Sequence, residues 1–103
     1  MGYSGSMKEI IETAEYSEWI DHLNDRKGKA IILIRIDRLA LDGNPGVVSP
    51  VGEGVSELKI DFGPGYRIYF IERGSALIFL LAGGDKKTQG QDIQTALKLA
   101  REL

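Results

Sequence analysis

Fourteen residues, Glu57 to Phe70, constrain the fold of this chain more than any others. Two alternating runs, Glu57-Leu-Lys-Ile-Asp-Phe62 and Tyr66-Arg-Ile-Tyr-Phe70, flank Gly63-Pro64-Gly65. Because side chains alternate across a strand, this pattern predicts a β-hairpin with two unlike faces. With Gly63–Gly65 as a three-residue loop, Phe62 faces Tyr66, Ile60 faces Ile68 and Leu58 faces Phe70. All six apolar side chains then share one face. The other face sets Glu57, Lys59 and Asp61 opposite Ile71, Tyr69 and Arg67. Cations, carboxylates and a phenol held on rigid strands suit a phosphate-handling surface. They equally suit an ordinary solvated sheet face with cross-strand ion pairs.

A chain of 103 residues is one small domain able to bury a modest core. It has no cysteine, which excludes disulfides and thiolate metal sites and points to a reducing cytoplasm. No apolar run approaches the roughly 18 residues of a membrane span, and no signal-peptide pattern is present. Met1–Ser6, ahead of Met7, reads as an expression-tag remnant, leaving residues 7–103 as the domain. The net charge of −2 is unevenly spread. Residues 1–25 carry one base, Lys8, against six acids, whereas residues 26–103 carry a net +3. A mildly basic body with an acidic flank can meet a polyanion on one side only, although an acidic solvated helix is the commoner meaning of such a flank.

Around the hairpin, Lys8–Glu12 suits a first strand. Thr13 suits a helix N-cap with Glu15 in the first turn. Tyr16, Trp19, Ile20 and Leu23 then recur at helical spacing, predicting a helix over 14–24 that Asp25–Gly28 ends. Residues 29–41 are β-branched enough for a strand, yet thirteen residues without a turn signal favour a helix with Ile32, Leu33, Ile36, Leu39 and Ala40 on one stripe. Asp42–Gly46 is a turn cluster followed by a loop through Gly54. After hairpin strands 56–62 and 66–72, Ala76–Ala82 forms a third meander strand. A last helix from Thr88 to Leu103 carries Ile93, Ala96, Leu97 and Ala100 on one stripe. The order β-α-α-β-β-β-α is an α+β domain with an antiparallel meander and helices packed on its apolar face.

The third strand delivers Gly83–Gln89 to one end of the sheet, where a flexible Gly83-Gly84 lets Lys86 and Lys87 turn toward Lys59 and Arg67. Four cations with Tyr69 and Gln89 nearby suit RNA better than a small organic substrate. An arginine can grip a phosphate through two parallel hydrogen bonds, and a phenol can stack on a base or donate a proton. Cleavage of RNA by its own 2′-hydroxyl needs a proton acceptor, charge stabilisation at phosphorus and help for the leaving oxygen, with no metal or other cofactor. Composition by itself favours the plainer alternative, in which Lys59 and Arg67 pair with Glu57 and Asp61. Arg35, Arg38 and His22 read as surface residues, and no nucleotide-cofactor motif is present.

Arg35-Ile-Asp-Arg-Leu39, Gly43-Asn44-x-Gly46, Pro50-Val-Gly-Glu-Gly-Val-Ser-Glu-Leu58, Asp61-Phe-Gly-Pro-Gly-Tyr-Arg-Ile-Tyr-Phe70 and Leu80-Leu-Ala-Gly-Gly-Asp-Lys-x-Thr-Gln89 resemble the addiction-module killer proteins, the HigB-type toxins of the RelE superfamily. The resemblance runs from about Met7 to the C-terminus. It implies a RelE-like fold and a metal-independent endoribonuclease that cleaves translated mRNA at the ribosome, silenced by a cognate HigA-type antitoxin. On that pattern Arg67 stabilises the phosphorane-like transition state, and Lys59 and Lys86 hold the scissile phosphate or shuttle a proton. Tyr69 or Gln89 positions the nucleotide, and Lys87 adds an RNA contact. Ser49 stands where such proteins usually carry lysine, and Lys59 where arginine is common. Two alternatives stay open: a ParE-like, non-enzymatic inhibitor of DNA gyrase, which shares this fold, and an inactive antitoxin-binding remnant.

Overall fold

The hairpin forms the middle of a five-stranded sheet. The computed structural model describes residues 7–103, so the tag assignment for Met1–Ser6 lies outside the described residues. In chain order the elements are β1 (Glu9–Glu12), α1 (Ala14–Asp21), α2 (Arg26–Ala40), β2 (Val47–Gly52), β3 (Val55–Ile60), β4 (Tyr66–Arg73), β5 (Leu77–Gly84), a 3-10 turn (Lys86–Thr88) and α3 (Gln89–Arg101). The spatial order is β1-β5-β4-β3-β2. Strands β2 to β5 form an antiparallel meander, and β1 returns parallel to β5 with Glu9 beside Leu77. The result is a mixed α+β fold of five strands and three helices. No helix among the described residues is long and apolar enough to cross a membrane.

Local chemistry accounts for the helix boundaries. Thr13 caps α1 by accepting from the Tyr16 amide at 3.0 Å, and its hydroxyl donates to the Leu81 carbonyl at 2.7 Å, fixing the helix to β5. Helix α1 stops at Asp21, three residues short of the periodic pattern. The Asp25–Gly28 segment begins α2 instead of ending α1, because the Asp25 carboxylate accepts from the Gly28 amide at 2.9 Å and serves as N-cap. A Cβ on Gly28 would meet that carboxylate at 2.5 Å and the Tyr66 ring at 2.7 Å. The glycine is thus needed for close packing inside the helix. Residues 29–41 are helical to Ala40, with Ile32, Ile36 and Ala40 buried, while Leu33 is 48% exposed and leaves the expected stripe.

Three sheet features depart from the expected arrangement. First, residues 47–52 are a strand, not a loop. Pro50 is tolerated there because β2 lies at the edge, where a missing N–H breaks no inner ladder. Second, the helices cover both faces. Tyr16 and Ile20 of α1 and Ile32 and Ile36 of α2 pack with Leu58, Ile60, Ile68 and Leu80, whereas Ala96, Leu97 and Ala100 of α3 pack with Val55, Tyr69, Ile71 and Leu81. The expected one-sided packing fails because β4 is buried on both faces from Tyr66 to Ile71.

Third, the hairpin register is shifted by two residues. Ile60 pairs with Tyr66, Lys59 with Arg67, Leu58 with Ile68 and Glu57 with Tyr69. The connection is the five residues 61–65, closed by Phe62 N–H to the Ile60 carbonyl (2.9 Å) and Gly65 N–H to the Phe62 carbonyl (3.1 Å). Phe62 folds back against the α1–α2 core instead of pairing with Tyr66. A shift of two preserves the alternation, so every hairpin side chain keeps its face while its partner changes.

Gly83 and Gly84 lie inside β5, paired with Ile68 and Arg67, and do not form a flexible release point. A Cβ on Gly83 would enter the Trp19 ring, and one on Gly84 would enter the Asp92 carboxylate. Both positions are small because α1 and α3 close on β5 from opposite sides. Gly83→Ala is expected to destabilise the fold by about 1–3 kcal/mol, the usual range for overpacking. A urea midpoint unchanged from the parent would disprove that contact.

Candidate functional site

The paired strands β3 and β4 place Lys59 and Arg67 directly opposite each other. At their end the Gly63-Pro64-Gly65 loop and Lys86 close a cleft of about 320 Å³, which Asp61 also lines. In two larger grooves, of about 510 and 540 Å³, carboxylates outnumber cations: Glu15 and Glu18 line one, and Glu9, Glu12 and Asp37 line the other beside Lys8. Charge, not size, therefore distinguishes the hairpin cleft.

Arg67 is only 5% exposed. Its Nη1 donates to the Gly65 carbonyl at 2.7 Å, while its Nε lies 3.9 Å from Glu57 Oε2 and has no hydrogen-bond partner. Gly65 has φ +80°, and a Cβ there would stand 3.0 Å from Arg67 Nη1 and 3.6 Å from Lys86 Cβ. The glycine lets loop backbone lie against both cations. Lys86 arrives through a capped turn: the Asp85 carboxylate accepts from the Lys87 and Thr88 amides at 2.8 and 3.3 Å, reversing the chain just after β5.

Behind Arg67 stands the buried carboxylate of Glu57. Its Oε2 accepts from the Tyr69 hydroxyl at 3.0 Å and from Gln89 Nε2 at 2.9 Å. Tyr69 is fully buried, and burial, then its bond to Glu57, raises its phenol above the ordinary range. The structure thus corrects the expected RNA-contact role of Tyr69: the ring belongs to the α3-side core and its hydroxyl to Glu57. Gln89 is likewise spent on Glu57 and does not reach for a nucleotide. Lys87 is exposed but does not line the cleft. Arg67, Lys59 and Lys86 do come together, through strand pairing and the capped turn.

Cross-strand neutralisation, the plainer alternative, is met among the described residues only between Arg67 and Glu57, whose Nε and Oε2 lie 3.9 Å apart. Among the described residues, Lys59, Asp61 and Lys86 form no ion pair within 4.0 Å. Lys59 instead faces a like charge in Arg67, an arrangement that destabilises a sheet. The register shift explains this, since it moves Asp61 off the ladder into the loop. A cleft with three cations, one carboxylate and a close-packed glycine loop favours a bound anion that bridges the cations.

Two supporting residues were not singled out from the sequence. Tyr66 donates to Asp25 Oδ2 at 2.6 Å, tying the start of β4 to the cap of α2. Burial, then Asp25, pushes the Tyr66 phenol up to about 12, and the same hydrogen bond holds the Asp25 carboxyl below its usual range. Glu57 looks like one of several ion-pair partners in the sequence, whereas it anchors Arg67, Tyr69 and Gln89 together. Alternation placed Glu57 and Tyr69 on one face, but only the observed register sets them opposite each other.

Residues 18–103 match the family described as Phage derived protein Gp49-like (DUF891). The chain belongs to the Gp49-like family. That family is RelE-like and toxin-like in character. An uncharacterized protein of Haemophilus influenzae is 43% identical over 95 residues, spanning 92% of this chain and 95% of its own. The Gp49-like match contains Lys59, Asp61, Arg67 and Lys86, and hence the whole cationic cleft.

Proposed function

We propose that this Gp49-like protein is the toxin of a type II toxin–antitoxin module, a HigB-type mRNA interferase with the RelE-like arrangement. It acts in the cytoplasm on mRNA being translated at the ribosome and is held in check by a cognate HigA-type antitoxin. The observation that carries the reading is the cationic cleft: Lys59 faces the almost wholly buried Arg67 across β3 and β4, Lys86 stands beside them, and among the described residues only Arg67 of the three has an ion-pair partner, Glu57. Membership of a toxin-like family supports the same reading.

In this reading a backbone phosphate of mRNA enters the cleft. Arg67, fixed by the Gly65 carbonyl and by Glu57, presents its guanidinium to the phosphate oxygens and stabilises the negative charge that grows during attack by the adjacent 2′-hydroxyl. Lys59 and Lys86 neutralise the remaining charge, and an ammonium hydrogen can pass to the departing 5′-oxygen. The preorganisation comes from strands and a capped turn, so little reorganisation accompanies the reaction.

Brief expression followed by mapping of new 5′ ends tests the reading, using translated and untranslated copies of one mRNA. Cuts confined to the translated copies are expected. Intact mRNA, with DNA-damage signals in the same cells, would instead indicate a gyrase inhibitor. Intact mRNA with unimpaired growth would indicate an inactive antitoxin-binding protein.

A further inference from the structure

The carboxylates around the cleft differ sharply in how they are used. Glu57 is buried behind Arg67 and takes hydrogen bonds from Tyr69 and Gln89. Asp25 caps α2 and accepts from Tyr66. Asp85 caps the turn that carries Lys86. Asp92 accepts from the Thr88 hydroxyl. Each of these four is committed to holding the fold.

Asp61 is not. It is exposed, it lines the cleft, and among the described residues its carboxylate has neither an ion pair nor a side-chain hydrogen bond. Its freedom follows from the register. Had the hairpin closed with a three-residue loop, Asp61 would have paired with Arg67. The five-residue connection leaves it on the cleft rim, on the same side as Lys59. The other side chains that bring charge to the cleft are Lys59, Arg67 and Lys86, none of them a carboxylate. His22 lines the separate acidic groove at the α1–α2 corner.

We propose that Asp61 is the catalytic proton acceptor of the cleft, drawing the proton from the 2′-hydroxyl of the nucleotide whose phosphate Arg67 holds. The inference rests on the ribonuclease reading and supplies the group that reading lacks. The 2′-oxygen forms its bond to phosphorus as its proton passes to the Asp61 carboxylate. The bond from phosphorus to the 5′-oxygen breaks, and that oxygen takes a proton from the Lys86 or Lys59 ammonium. The products are a 2′,3′-cyclic phosphate and a 5′-hydroxyl. Exchange with solvent then returns the proton from Asp61 to the lysine, so no water, oxidant or metal is consumed.

A proton acceptor and a mere counter-charge at Asp61 respond oppositely to its removal. If Asp61 only moderates the positive charge of the cleft, Asp61→Asn should bind mRNA more tightly and cut it at least as fast. As proton acceptor, its loss slows the chemical step while binding is retained or improved.

Single-turnover cleavage of a 5′-labelled mRNA on ribosomes translating it, over a range of protein concentrations, separates the two. Asp61→Asn is expected to lower the maximal rate by roughly 10²–10⁴-fold, the usual contribution of a general base, with an unchanged or lower half-saturating concentration. Asp61→Glu, which keeps a carboxylate, should recover much of that loss. Wild-type or faster cleavage by Asp61→Asn would overturn the assignment, as would equal inactivity of the Asn and Glu variants with matching thermal melts. An intact mRNA in the wild-type lane overturns the ribonuclease reading itself, a result distinct from any difference between variants.

Discussion

Arg67→Ala is expected to lower the maximal rate of mRNA cleavage by roughly 10²–10³-fold, the effect of removing one preorganised donor from a developing oxyanion. The residue is buried, gripped by the Gly65 carbonyl and backed by Glu57, so its guanidinium is aimed before substrate arrives. Arg67→Lys is the informative companion. It leaves a cation near Glu57 but replaces a planar, two-pronged donor with a point charge, and at least a tenfold loss is expected. The same labelled mRNA on translating ribosomes reads both variants, with circular dichroism melts to confirm folding. Wild-type cleavage by a folded Arg67→Ala protein would remove the cleft from consideration as an active site.

Glu57→Ala tests the support behind that arginine and is expected to destabilise the protein by about 3–5 kcal/mol, as when one partner of a buried ion pair is removed. The side chains of Arg67 and Glu57 are 5% and 10% exposed, so water does little to screen either. Deleting the carboxylate leaves a buried cation without its counter-charge and strands the Tyr69 hydroxyl and the Gln89 amide. Glu57→Gln retains an oxygen for Tyr69 while losing the charge, and a smaller loss is expected. Urea denaturation resolves the series. A Glu57→Ala protein within 1 kcal/mol of the parent would mean that the cluster is not coupled as its geometry indicates.

The elements most legible from sequence were those set by local chemistry. Thr13 caps α1 as its hydroxyl predicts, and Ala96, Leu97 and Ala100 form the buried stripe of α3 as their spacing predicts. The end of α1 is not legible in the sequence because Asp25–Gly28 reads as a stop when seen from α1 and as a start when seen from α2. Asp25 decides the matter through a hydrogen bond forward, to Gly28. Strand β2 is hidden in the sequence because Pro50 and nearby glycines resemble a loop, and only its place at the sheet edge makes that composition acceptable.

The candidate site divides along the same line. The closeness of Arg67, Lys59 and Lys86 is legible in the sequence, since strand order and chain direction are enough to bring them to one end of the sheet. Tyr69 and Gln89 suit RNA in the sequence because a phenol and an amide beside cations look available in one dimension. In three dimensions α3 covers Tyr69, and both side chains turn to Glu57. Gly83-Gly84 suggests flexibility in the sequence, yet Trp19 on one side and Asp92 on the other show why nothing larger fits.

Residues 57–70 mark the boundary between the two kinds of information. Their sequence determined which side chains share a face, because alternation is built into the strand backbone and survives any even shift in register. It did not determine who faces whom. That was decided by hydrogen bonds within the 61–65 loop, by the core that draws Phe62 inward and by the helix that buries β4 from its second side. Through those long-range contacts Lys59 was set against Arg67 and Asp61 was left free, which turned a face of apparent salt bridges into a charged cleft.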